Sequence, residues 1–359
     1  MGFRLPSVRS ARAPRSAAPV VSPPLVVSPP LVVSPTLVVS IDVELRWGLR
    51  DLLPPNGGAY RENLLGARRA LPRMLEVFEA YGVRATWAVV GFLMAGSREE
   101  LMAHAPPPHL RPMYANRRLD PYSEPIGRDE AEDPLHFGAS LIEQMRACPG
   151  QEIGTHTFSH YYCLEAGQTR ATFAADLAAA ASIAEARGVR LSSIALPRNQ
   201  LNPAYAGALR DGGISAVRVN PRGRLYQADT DARDRAPARR AARLLDAYTG
   251  ATGSHVIDWS DVARDDGPCH VASSMFLRPY APIGRRLEPL RLARIQRGVR
   301  AAAAAGGIFH LWWHLHNHGR HVDENLGALR SVLDTFAECR ERSGMQSLSM
   351  REVASAARG

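Results

Sequence analysis

With 359 residues, 45% of them hydrophobic and 22% charged, the chain is long enough for one large soluble domain. Its net charge of +9 is carried by arginine alone, and the lack of lysine excludes both a Schiff-base lysine and a phosphate-binding P-loop. No apolar run reaches the roughly 18 residues of a membrane-spanning helix, and the arginines are scattered among acids, which argues against a nucleic-acid partner.

In chain order, residues 1–36 come first, rich in Arg, Ser and Pro, with Leu-Val-Val-Ser written at 25–28, 31–34 and 37–40. Prolines flank the first two copies, and a central strand cannot hold repeated prolines because each removes a ladder donor. Residues 1–36 are therefore expected to be a disordered extension; their apolar stretches are too short for a secretory signal. The third copy runs on unbroken to Glu44, a nearly all-apolar, β-branched run that suits a buried parallel strand. A helix is predicted over 61–82, closed by Gly82, then a strand over 83–91. A helix at about 135–147 leads to a strand at 151–155, and a helix at 169–187 to a strand at 191–196. A short helix at 203–211 precedes a strand at 216–219. Residues 220–285 read as irregular. A helix near 288–305, a strand over 308–313 and a helix at about 323–342 complete the pattern.

Alternating strands and helices favour a parallel sheet, open or closed as a barrel, in which chemistry gathers at the C-terminal strand ends. Polar residues stand at those ends. Asp42 and Glu44 lie on one face of the first strand, two carboxylates that are costly to bury without a cation nearby. His156 and His160 follow the strand at 151–155 with a spacing that places two imidazoles on one side of a helical turn. Together with Asp42 or Glu44 they make an open zinc-type site. His314 and His316 end the last strand, and His310 on the same parity reads as a core histidine; His318 and His321 fall in the following loop. Arg198 follows Pro197 at another strand end, where it is expected to hold an active-site carboxylate. Trp87, Trp312 and Trp313 are placed to line a sugar surface or fill the core. The four cysteines form no CxxC pair, which suggests a reducing, cytoplasmic setting.

These motifs resemble the polysaccharide deacetylases of the NodB-homology type over residues 37–355. The resemblance rests on Ser40–Glu44, Thr86-Trp87, His156-Thr157-Phe158-Ser159-His160, Pro197–Gln200 and His314-Leu315-His316-Asn317. It implies a single-domain α/β fold, a distorted, TIM-like (β/α) barrel, holding a divalent metal, with Zn2+ expected. It further implies an N-acetylated carbohydrate as substrate and no protein partner. By the same likeness, Asp42 matches the catalytic base, His156 and His160 the metal ligands, and His314 the acid that protonates the leaving group. Two departures stand out. Val43 replaces the family's metal-binding aspartate, leaving Glu44 as its substitute or as an exchange partner for Asp42. Ala195 stands where the family has arginine, a role Arg198 would take over. Asp258-Trp259 resembles a fourth motif. The implied reaction is amide hydrolysis on a sugar; the alternatives are hydrolysis of another linear or cyclic amide or ureide, and a non-catalytic carbohydrate-binding barrel.

Overall fold

The computed structural model describes residues 1–2, 34–230, 233 and 236–359; the disorder expected of the extension falls mostly on residues 3–33, outside these, while Thr36, placed in the extension, is the first residue of a strand. The chain divides into residues 1–31 and 32–359, and the second unit carries the fold. Nine parallel strands form one sheet: β1 (Thr36–Val43), β2 (Ala85–Val89), β3 (Glu152–Thr155), β4 (Ser193–Ala195), β5 (Ala216–Val219), β6 (Cys269–Ala272), β7 (Met275–Phe276), β8 (Ile308–His314) and β9 (Gln346–Ser347). Their order is β6-β5-β4-β3-β2-β1-β8-β7, with β9 paired to the start of β1. The two ends of this path are separated in sequence only by Ser273 and Ser274. The sheet therefore curls back on itself as a distorted (β/α) barrel.

β1 is buried along its whole length, with β2 on one side and β8 on the other. Its odd-numbered residues, Leu37, Val39, Ile41 and Val43, join the main core under the outer helices, and so do Phe309, Leu311 and Trp313 of β8. Val38, Ala216 and Ile308 instead join an inner apolar plug with Ile257, Val271, Met350 and Val353. The even-numbered face of β1 thus passes from an apolar floor at Val38, through Ser40, to the carboxylates of Asp42 and Glu44. This is the alternation of a strand written along the barrel axis.

The helices match their expected places. Arg61–Tyr81 is capped by Gly82 in the left-handed conformation (φ 65°), which frees the chain to turn directly into β2. Arg170–Ala186 begins with a capping box between Thr169 and Thr172. Glu288–Ala305 and Val322–Ser343 cover the sheet beside β8. Residues 220–285 depart from expectation: they hold the helix Pro237–Thr249, the four-residue strand β6 and the two-residue strand β7 within a stretch rich in Arg, Asp and Pro. The helix Met350–Ala356 closes the barrel floor and had no counterpart in the sequence reading. Among the described residues no helix is long and apolar enough to cross a membrane.

Candidate active site

The C-terminal strand ends converge on Glu44. Its Oε2 lies 2.8 Å from His160 Nε2 and 3.3 Å from His156 Nε2. On the other side, Oε1 lies 3.6 Å from His314 Nε2 and 3.9 Å from His316 Nε2. Burial alone would raise the Glu44 pKa, but His314, His156 and His160 outweigh it and hold the carboxyl well below its usual value. Burial pushes the His160 imidazole down to about 3 and that of His316 to about 4, so both are neutral near pH 7. Gly48 makes room for this carboxylate: a Cβ there would overlap the Glu44 side chain.

Asp42, 2% exposed, is gripped by Arg218 of β5 through two parallel bonds, Nη1 to Oδ1 at 2.7 Å and Nη2 to Oδ2 at 2.6 Å. Arg218 also donates to Ser40 and Asn199 and lies over the Trp312 ring. Burial raises the pKa of Asp42, yet the paired guanidinium and nearby imidazoles leave it lowered overall. Oδ2 stands 3.7 Å from His314 Nε2. His314 is 26% exposed and faces the mouth. Asn317 lies 3.3 Å from its Nδ1, and the Tyr60 hydroxyl donates to Asn317 Oδ1 at 2.6 Å. The amide so oriented presents its N–H to Nδ1 and leaves the ring proton on Nε2, the atom facing the two acids.

The histidine pair is built on a turn with unusual backbone. Thr157 (φ 66°) and His160 (φ 57°) both take left-handed conformations. Asp176, reaching from the helix Arg170–Ala186, holds the turn by accepting from the N–H groups of Phe158 and Ser159 and from the Ser159 hydroxyl. Arg50 approaches His160 Nδ1 at 3.1 Å. A guanidinium only donates, so Nδ1 accepts and the ring proton sits on Nε2, shared with Glu44.

The other residues singled out in the sequence separate. Arg198 shares the cavity but donates to Asp51 at 2.8 Å, stacked on Tyr162. The guanidinium on Asp42 is that of Arg218, whose place within a strand gave no sign of a site role. His310 is a core residue, its two ring nitrogens bonded to Ser40 and to the Ala272 carbonyl. His318 is buried and stacked on Trp313, while His321 takes a left-handed conformation before the helix Val322–Ser343. Trp87 and Trp313 are fully buried, whereas Trp312 lines the cavity. Asp258 caps a short turn next to Ile257, which pairs with Ile308 where β8 begins. Asp258-Trp259 therefore sits at the barrel floor, far along the strands from the mouth.

One anionic carboxylate and two buried imidazoles, with ligand atoms within 4.8 Å of one another, fit a divalent cation. A second such group joins Glu44 to His314 and His316. Cation uptake at His160 would expel the proton now on Nε2.

A parallel barrel with a His-His-carboxylate cluster at its C-terminal mouth defines the class: an α/β-barrel protein with a candidate metal site. Residues 65–217 match the model of the polysaccharide deacetylase family. That stretch includes His156, His160 and Arg198 and leaves out Asp42, Glu44, Arg218 and His314. Two solved structures share the fold. A candidate polysaccharide deacetylase from Mycobacterium smegmatis is 16% identical with a TM-score of 0.55, over 95% of this chain and 94% of that one. A candidate polysaccharide deacetylase from Pseudomonas aeruginosa PAO1 is 12% identical with a TM-score of 0.52, over 90% and 91%. No curated protein matches the chain significantly in sequence.

Proposed function

We propose that the chain is a metal-dependent hydrolase that removes N-acetyl groups from a sugar or polysaccharide. The observation that carries this reading is Glu44 lying between His156 and His160, with Asp42 and His314 flanking it. Glu44, His156 and His160 would hold the cation, with zinc the ion best suited to this ligand set. Once bound, such an ion polarises the amide carbonyl and lowers the pKa of water to about 7.

The remaining work belongs to side chains. Asp42, anionic and fixed by Arg218, accepts the proton of the attacking water. His314, in the imidazolium form with both ring nitrogens protonated, gives its Nε2 proton to the departing nitrogen and is left as the neutral ring, with the Asn317 amide turning its oxygen toward Nδ1–H; amide cleavage demands this donor because an amine anion is a very poor leaving group. Trp312 and Phe276 offer apolar faces to the sugar ring. With none of the four cysteines in a disulfide, we read the setting as cytoplasmic.

Two substitutions test the reading. His160→Ala is expected to lose bound metal, measured by mass spectrometry, together with acetate release from N-acetylated sugars. His314→Ala should keep its metal and lose about a hundredfold or more in kcat. Full turnover in His314→Ala would remove that residue from the mechanism, and a metal-free yet active protein would overturn the proposal.

A further inference from the structure

Beyond the catalytic residues, the cavity of about 350 Å³ is lined by arginine. Its described lining holds Arg198, Arg218, Arg243, Arg278, Arg291 and Arg294, against Asp42 and Glu44 as the only carboxylates. Five of the six arginines have assigned partners. Arg198 donates to Asp51 and Arg218 to Asp42. Arg291 is held by Glu288, Arg294 by Asp246 at 2.8 Å, and Arg243 donates to the Leu225 carbonyl at 2.9 Å.

Arg278 is different. It is half-buried, and among the described residues it has neither a hydrogen bond nor an ion pair. Burial lowers its pKa most; Tyr248 and Tyr226 offset part of this, the like charges of Arg291 and Arg243 lower it further, and none of these groups is a carboxylate. A guanidinium withdrawn from water beside two others, with no acceptor, is costly unless an anion arrives. It stands two residues past Phe276, whose ring centroid lies 5.6 Å from that of His314, so it shares the cavity with the reacting centre.

Building on the deacetylase reading, we propose that Arg278 receives an anionic group of the substrate, a carboxylate or phosphate, so that the preferred substrate is an acidic N-acetylated sugar. Planar, bidentate recognition of such groups is what a guanidinium does best. A charge with no partner among the described residues is then compensated in the complex.

The test compares N-acetylglucosamine, N-acetylmuramic acid (a carboxylate) and N-acetylglucosamine 6-phosphate on the metal-loaded full chain. At least one acidic sugar is expected to exceed the neutral one in kcat/KM by about tenfold or more. Arg278→Gln should bring that ratio close to one, and Arg278→Lys, which keeps the charge, should restore part of it. Equal kcat/KM for all three sugars, or a ratio unchanged in Arg278→Gln, overturns the proposal. Should no sugar release acetate, the deacetylase reading fails, and calorimetric binding of the same sugars still decides this inference. Tighter binding of an acidic sugar, lost in Arg278→Gln, supports it; equal binding or none overturns it.

Discussion

Arg218 and Asp42 form the most consequential pair at the residue scale. Both are almost fully buried, and breaking a buried ion pair leaves an uncompensated charge, a loss of about 3–5 kcal/mol. Arg218→Met is therefore expected to lower the unfolding free energy by that amount in urea titrations. The pH dependence has a definite sign. The Asp42 pKa is lowered on folding from its usual 3.8, so its stabilisation is present above that value and is lost as pH falls through the lower folded-state value. Without Arg218, burial prevails and the folded pKa rises, so the acid limb of the kcat profile should move to higher pH. An unshifted limb would remove Asp42 from the role of base. The sequence displayed Asp42, Glu44 and His314 through strand parity, a local property, whereas the helical turn expected for His156 and His160 is instead an irregular turn with left-handed Thr157 and His160 that still brings the two rings together. The sequence did not display which arginine meets Asp42. β5 reads as an ordinary strand, and only the closing of the barrel carries Arg218 to β1. Arg198, placed at a strand end beside a proline, offered the stronger local signal and instead meets Asp51.

At the scale of elements, the turn after β1 matters as much as the strand. Leu45 takes a left-handed conformation (φ 42°) and begins the short helical turn Leu45–Leu49, which folds Gly48 under the Glu44 carboxylate. Gly48→Ala should displace that carboxylate from His156 and His160. The expected outcome is a loss of bound metal and an overpacking cost of about 1–3 kcal/mol, read as a lower unfolding midpoint. Retention of full metal content would show that the carboxylate can shift without loss. Helices were legible where an apolar stripe and a glycine cap coincide, as at 61–82. β7 and β6 were not: β7 has only two residues, and β6, as long as the anticipated β5, lies within a stretch rich in Arg, Asp and Pro that reads as irregular. They are specified by their neighbours, β8 and β5, rather than by their own sequence.

At the scale of the whole molecule, the unit from Val32 to Gly359 contains its own core, inner plug and site. We therefore propose that residues 37–355 are the functional domain. A chain beginning at Val32 is expected to unfold in one cooperative transition and to keep its metal content; a non-cooperative melt would assign residues 1–31 a structural part. Alternation alone made a parallel α/β sheet legible, open or closed, and the barrel followed from the family resemblance; closure through residues 269–277 was not legible, because both halves of that stretch pair only with distant strands. The two-residue rhythm of β1 also limits what this protein can tolerate. Inserting or deleting one residue between Val38 and Asp42 would turn both carboxylates into the helical layer and offer Ile41 and Val43 to the mouth, leaving the fold's outline and erasing its chemistry. Changes by two residues would spare that orientation. Length variation in this strand should therefore be accepted only in even steps.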